Sequence, residues 1–369
     1  MKAIFSPGPS YSDPRVREVA GWVKILDMYH AALRELGFDV VVPEVPFELI
    51  ERRGTVSTIT SYDLVAASKI PMDAELFLGP PGYSVAQMMR LGPKTKKVIY
   101  FWNNADWWRD QQLDGEYKRF AQPYDLSPTW RWLNAEACRQ AYHAVACSPF
   151  VKQTWSRVMP PERTSIAFWG VDSTAFCPAI EPVPCPPLRV LFSGGDYIRK
   201  GLVYLGHAMT GLKGVELWIV GHGPVQIEAP GLVVRQIGMV PHARMPEIMA
   251  QCHVICIPTL EDGIALAVQE ALACGLPAIT TPDAGEVMED GVSGFVVPFR
   301  DPGAIRQKLI LLQNDQALLN HMGQAARALA VRQTWGQFKQ DFAEVIRRVM
   351  APVGMLPFES EMPWLKREA

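Results

Sequence analysis

The sequence has no surplus of charge: 36 Lys and Arg stand against 38 Asp and Glu, a formal net charge of -2. A protein held on DNA by bulk charge is thereby excluded, because no global excess of cations exists to release counterions, although a local basic groove is not. No run of 18 apolar residues occurs, so no spanning helix is expected. The opening stretch MKAIFSPGPS is interrupted by Pro7 and Gly8, which leaves too little apolar length for a signal peptide. There is no C-x-x-C pair. The seven cysteines (Cys138, Cys147, Cys177, Cys185, Cys252, Cys256, Cys274) are odd in number. Zinc and a disulfide framework are therefore not expected, and free thiols in a reducing cytoplasm are.

What is present is length and alternation. At roughly 150 residues per domain, 369 residues suggest two or three domains with a sizeable core. Residues 2–5, ELFLG at 75–79 and KVIYFW at 97–102 read as strands. Over 16–36, Val19, Val23, Leu26, Tyr29, Leu33 and Leu36 recur at spacings of three and four, which predicts a helix with one apolar stripe. Gly37 then suits a C-terminal cap, and FDVVVP resumes as a strand. A second series, LRVLFSG, VELWIVG and HVICIP, follows the Pro-rich PAIEPVPCPP. Short Val/Ile/Leu-rich runs bounded by Gly or Pro are what buried parallel strands look like. The expected architecture is α/β with two parallel-sheet domains. Its divisions are 1–177, a stiff linker at 178–187, 188–340, and a C-terminal helix and tail at 341–369 that returns to the first domain.

Eight of the eleven tryptophans fall in the first half (Trp22, Trp102, Trp107, Trp108, Trp130, Trp132, Trp155, Trp169), a bias that favours a binding surface there, although for any single one ordinary core or interface packing is the expected role. The richest stretch for chemistry is CIPTLEDGIALAVQEALACGL at 256–276. A buried strand ends at Pro258, a loop carries Glu261 and Asp262, and Gly263 opens a helix closed by Gly275. Free N–H groups at such a helix entrance suit a phosphate or a sugar hydroxyl. Asp262 at the entrance and Glu270 two turns inside could both meet a ligand lying along it. The plain alternative is an acid favouring the helix dipole, worth ~0.3–1 kcal/mol, plus a solvated glutamate.

This segment resembles the Glu-x7-Glu signature of the family-four retaining glycosyltransferases (glycosyl transferases group 1), which have the GT-B fold of two Rossmann-like domains facing across a cleft. EALACGLP carries the match. FSGGDYIRKG (192–201) is similar to the family's diphosphate loop and VELWIVGHGP (215–224) to its strand and turn. VRQIGMVPHARMPEIMAQCHVICIPT, GVDSTAFCP (170–178) and TPDAGEVMEDGVSGFVVP (281–298) resemble the flanking passages. Six blocks in order are far more specific than one motif.

The resemblance implies a glycosyltransferase that uses a nucleotide-diphosphate-sugar as substrate, with retention of configuration, without metal and without a cofactor. Glu270 would bind the ribose, Lys200 the diphosphate with Arg199 beside it, and Asp262 with the backbone of Gly263, Ile264, Ala265 and Leu266 the donor sugar. Gly194 and Gly195 would let the backbone approach the phosphates, and Gly8 would stand in for the family's first glycine-rich loop. The sequence also lacks an Asp-x-Asp metal signature.

The chain departs from the family pattern at three places. The first signature acid is Asp262, with Glu261 adjacent; the usual loop arginine is Gly195; and the usual first-domain histidine is replaced by Asn103, Asn104 and Asp106 in YFWNNADWW. His30 and His143 are elsewhere and read as structural. The acceptor is expected on the first domain near Asn103, Asn104, Asp106, Trp107 and Trp108, at the carboxyl end of a strand where open α/β sheets bind ligands. A carbohydrate or small molecule ranks first. A nucleic-acid base or other macromolecule stays open through the tryptophans and the basic patch Arg90, Lys94, Lys96 and Lys97. So does a non-catalytic sugar-nucleotide-binding protein. Hydrolysis ranks lower, since the paired acids lie in a nucleotide-type segment rather than flanking a glycosidic bond. Peripheral membrane contact is left open.

Overall fold

The computed structural model describes residues 1–8, 11, 23–46, 49–50, 55–124, 127–179, 183–221, 229–284 and 286–352. Several expected features lie outside the described residues: the start of the 16–36 helix including Trp22, linker residues 180–182, the turn at 222–224, Gly285, and the tail from 353 onward.

Two compact units are present. The first comprises Met1–Asp110, Asp125–Trp169 and Gly336–Ala369. Its elements in chain order are β1 (Lys2–Phe5), α1 (Val23–Glu35), β2 (Asp39–Val41), α2 (Thr55–Lys69), β3 (Leu76–Gly79), α3 (Val85–Arg90), β4 (Lys96–Phe101), α4 (Asp106–Arg119, shared with the second unit), α5 (Pro128–Gln140), β5 (His143–Ala146), α6 (Pro149–Trp155) and β6 (Thr164–Ile166). The strands form one parallel sheet in the order β2-β1-β3-β4-β5-β6. Strands β3 and β5 are buried along their whole length, so helices must cover both faces.

Local chemistry explains the boundaries. Helix α1 buries Val23, Leu26, Tyr29 and Leu33 on one stripe. It stops because Gly37 adopts φ +84°. There its N–H reaches Arg34 O at 2.9 Å, while Phe38 N–H reaches Leu33 O at 3.1 Å, the paired bonds of a left-handed cap. Helices α5 and α6 begin with Ser-Pro: Ser127 and Ser148 each accept from the third N–H beyond, and the proline occupies the first helical position where no donor is needed.

The second unit comprises Gln111–Tyr124 and Gly170–Trp335. It contains β7 (Leu188–Ser193), α7 (Leu202–Met209), β8 (Val215–Val220), β9 (Val233–Gly238), α8 (Met245–Met249), β10 (Val254–Ile257), α9 (Leu266–Ala273), β11 (Ala278–Thr280), β12 (Gly294–Val296), α10 (Pro302–Asn314) and α11 (Gln316–Ala330). Its sheet is again parallel, in the order β12-β11-β10-β7-β8-β9.

Packing thus divides the chain differently from the contiguous 1–177, 178–187, 188–340 and 341–369. Residues 111–124 go with the second unit because Arg300 holds them. Its guanidinium donates to Gln112 O at 2.5 Å, Gln112 Oε1 at 3.1 Å and Glu116 Oε1 at 2.6 Å. The last helix, α12 (Trp335–Met350), goes with the first unit. There Phe338 and Phe342 meet the Tyr29 ring edge-on, each with centroids 5.0 Å apart, and Tyr29 stacks on Tyr100 at 4.9 Å. All four rings are fully buried. Among the described residues, no helix is long and apolar enough to cross a membrane.

Candidate active site

In the second unit, β7 and β10 are neighbours and parallel, so the segments following them emerge at the same edge of the sheet. Residues 194–201 follow β7. Gly194 N–H bonds Val220 O at 3.0 Å, and a Cβ on Gly221 (φ +149°) would lie 2.0 Å from Gly194 O. Gly195 is exposed. Gly201 (φ +73°) starts α7 so close to the end of β10 that a Cβ would stand 2.1 Å from Pro258 O. Arg199 O accepts from Leu260 N–H at 2.8 Å and from Thr259 Oγ1 at 3.2 Å. The two segments are thus joined through backbone.

That join brings five charged side chains together. Lys200 Nζ is paired with the Asp262 carboxylate. Arg199 Nη1 lies 3.4 Å from Asp262 Oδ1 and 3.7 Å from Glu261 Oε2, and donates to Glu261 O at 3.0 Å. Asp196 accepts the Arg199 backbone N–H at 3.1 Å and lies 3.7 Å from Nε. Its other oxygen accepts from the Tyr117 hydroxyl. Burial opposes the Arg199 charge, but Asp262, Glu261 and Asp196 more than restore it, and its pKa stays above the ordinary value. For Lys200, burial outweighs the attraction of Asp262 and pushes the ammonium pKa down. The outcome is a half-buried pair of cations flanked by carboxylates, a surrounding in which an arriving anion meets less competing water than at an open surface.

Asp262 touches both cations, whereas Glu261 is fully buried beside Arg199. Helix α9 begins at Leu266, three residues after Gly263. The intervening turn is tied within itself by Gly263 N–H to Asp262 Oδ1 at 3.2 Å and Leu266 N–H to Ile264 O at 3.0 Å, and to the segment after β11 by Ala265 N–H to Ala284 O at 3.0 Å. Ile264 and Ala265 are buried.

Glu270, in the second turn of α9, makes no hydrogen bond or ion pair with the Arg199–Lys200 cluster. Its Oε1 lies 2.6 Å from His242 Nε2, and the imidazole is 5.4 Å from the Phe176 ring. His242 lies within a family-like block of the sequence, but nothing there marks a side chain 28 positions away as a partner of Glu270.

In the first unit, Gly8 follows β1 at φ +93°, its N–H 3.3 Å from Tyr62 Oη. Beyond β4, Asn103 O accepts from Trp155 Nε1 at 2.8 Å, Asn104 is buried, and Asp106 opens α4 while accepting from Asn134 Nδ2 at 2.9 Å. Burial raises the Asp106 pKa against that bond. Asn103, Asn104 and Asp106 border a cavity of about 30 Å³. Trp107 and Trp108 do not. Trp107 donates to Thr154 O at 2.7 Å beneath the Arg157 guanidinium, and Trp108 packs edge-on against Phe150.

Residues 187–315 match the family model of glycosyl transferases group 1. The chain is similar to the amylovoran biosynthesis glycosyltransferase AmsK of Erwinia amylovora, with 26% identity over 293 residues, 72% of this chain and 68% of that protein. Sucrose-phosphate synthase from Thermosynechococcus elongatus superimposes with a TM-score of 0.78 at 17% identity, over 95% of this chain and 99% of that one. HepE of Anabaena, solved with UDP and glucose, gives 0.65 at 14% identity, over 94% and 99%. At such identities the solved structures establish fold alone, and that fold is GT-B. The second unit therefore carries a glycosyl transferases group 1 domain, and the protein is a glycosyltransferase.

Proposed function

We propose that the protein moves a sugar from a nucleotide-diphosphate-sugar to an acceptor hydroxyl with retention of configuration. The observation that carries this reading is the Arg199–Lys200–Asp262 cluster at the edge where the segments after β7 and β10 meet. The bond from the anomeric carbon to the phosphate oxygen breaks, and one from that carbon to the acceptor oxygen forms on the same face. The acceptor's proton passes to the departing phosphate oxygen, so no protein base is required. Negative charge grows on the diphosphate, and Lys200 and Arg199 are preorganised to meet it. Asp262 holds both cations and faces the sugar, while Glu270 accepts from the ribose hydroxyls with His242 steadying one of its oxygens. Two half-buried cations supply the charge that a divalent ion supplies elsewhere, so we assign no metal and no cofactor. The structure of HepE with UDP and glucose supports uridine nucleotides as the first donors to try.

The experiment is hydrolysis and binding of a panel of nucleotide sugars, with EDTA present and absent. One donor should be turned over slowly, equally with chelator, and Glu270→Ala should weaken its binding. Loss of turnover in EDTA, restored by Mg²⁺ or Mn²⁺, would sink the metal-independent step. An unchanged donor affinity in Glu270→Ala would sink the ribose assignment.

A further inference from the structure

Residues 111–124 lie outside every family-like block of the sequence, yet they pack with the second unit. They enter it as the second half of α4, and several ties fix them there. Glu116 Oε1 accepts from Arg300 Nε at 2.6 Å and from the Tyr204 hydroxyl at 2.7 Å. Tyr117 rests its ring against Tyr124, with centroids 5.2 Å apart, and sends its hydroxyl to Asp196 Oδ2. Tyr204 is in the first turn of α7, which starts two residues after Lys200. The 196–200 turn is therefore gripped from both ends by neighbouring residues of one helix. Tyr117 holds it at Asp196, and Glu116 holds it through Tyr204 beyond Lys200.

Asp196 shapes that turn. Its backbone carbonyl accepts from Lys200 N–H at 2.9 Å, and its Oδ1 accepts from Arg199 N–H at 3.1 Å. The other carboxylate oxygen, Oδ2, has two claimants. One is the Tyr117 hydroxyl, which bonds it. The other is Arg199 Nε, 3.7 Å away and too far for a hydrogen bond. The carboxylate is thus bonded to a neutral phenol although a guanidinium stands beside it.

That choice decides what the guanidinium has to offer. Arginine presents a planar fork, and a phosphate is met best by two parallel N–H groups. Arg199 Nη1 donates to Glu261 O and faces Asp262, so the edge that carries Nε is the one turned toward Asp196. Were Oδ2 to swing into that edge, a carboxylate and an arriving diphosphate would compete for the same donors. The Tyr117 hydroxyl satisfies Oδ2 elsewhere while Oδ1 goes on supporting the turn.

Resting on the proposed transfer reaction, we infer that Tyr117 is a positioning residue for the donor diphosphate: it holds Asp196 off the Nε edge of Arg199 and so keeps that edge for phosphate oxygens.

The test is calorimetric titration of the full chain with UDP, GDP and ADP, each beside its nucleoside monophosphate. In the wild type at least one diphosphate should bind more tightly than its monophosphate. Tyr117→Phe keeps the ring and removes the hydroxyl. It should weaken that diphosphate by about tenfold or more, the scale of one hydrogen bond to a charged group, and leave the monophosphate nearly unchanged. A merely structural tyrosine would weaken both alike. Adding Asp196→Asn to Tyr117→Phe should restore the diphosphate, because the amide still accepts from Arg199 N–H but brings no charge to compete. Asp196→Asn alone decides the matter if Tyr117→Phe does not fold: it should bind the diphosphate at least as tightly as wild type. Unchanged diphosphate affinity in Tyr117→Phe, equal loss of both nucleotides, no recovery in the double variant, or weaker binding by Asp196→Asn overturns the role of Tyr117 and leaves the transfer reaction standing. Failure of the wild type to bind any diphosphate overturns the transfer reaction itself, and this role with it.

Discussion

Lys200 is held by Asp262 at the point where leaving-group charge is expected to grow, so its contribution should be largest in the transition state. Lys200→Ala should lower turnover by about 10²–10³-fold, on the order of 3 kcal/mol, with a smaller change in donor affinity. Steady-state kinetics with the best donor of the panel checks this; a silent variant would transfer the role to Arg199. A second residue-scale prediction concerns His143. It is buried on β5 with Nε2 2.9 Å from Ser165 Oγ, and burial, aided by Arg163 and Lys152, pushes its pKa from 6.5 down to about 4. The folded state therefore binds fewer protons there than the unfolded chain. The resulting stability is whole above pH 6.5 and is lost as pH falls toward 4, a span of about 3 kcal/mol. His143→Gln should flatten that stretch of the stability profile in urea melts. The acids and cations of the candidate donor site were legible in the sequence because they sit within short motifs. His242 was not, because its partner Glu270 is fixed by how strands are ordered rather than by any spacing along the chain.

Helices and strands were legible where one physical rule dominates. The apolar stripe of α1, its Gly37 stop and the all-apolar β10 needed nothing beyond periodicity and backbone freedom. Helix α4 was not legible as a boundary. It runs unbroken from Asp106 to Arg119 although the two units divide at Asp110 and Gln111, and a helix carries no mark of which body each of its faces serves. The start of α7 makes an element-scale prediction. Gly201 combines φ +73° with backbone contact to Pro258, so Gly201→Ala must both strain its own dihedral and separate the segments after β7 and β10. A destabilisation of more than about 2 kcal/mol is expected. Because the same separation shifts Lys200 relative to Asp262, donor affinity should fall with it. Thermal melts with and without nucleotide would read both effects, and wild-type stability in the Gly201→Ala variant would contradict the close approach.

Each unit has its own sheet and core, so unfolding should show two transitions, of which nucleotide raises only the one belonging to the second unit. Phe342 lies in the core of the first unit although it is distant in sequence from that unit's strands. Phe342→Ala should lower the other transition by about 3–5 kcal/mol, as loss of a fully buried aromatic does. Scanning calorimetry with UDP added would assign the two. If the nucleotide-sensitive transition moved instead, the grouping of α12 with the first unit would be wrong. The ring cluster of Tyr29, Phe338 and Phe342 also sets a clock on biosynthesis. Tyr29 leaves the ribosome long before Phe338, and at roughly 5–20 residues per second the wait is on the order of 15–60 s. For that interval the growing chain displays an aromatic face that its own last helix will later cover. Translation speed and chaperone supply should therefore govern the yield of active protein more than the final stability does.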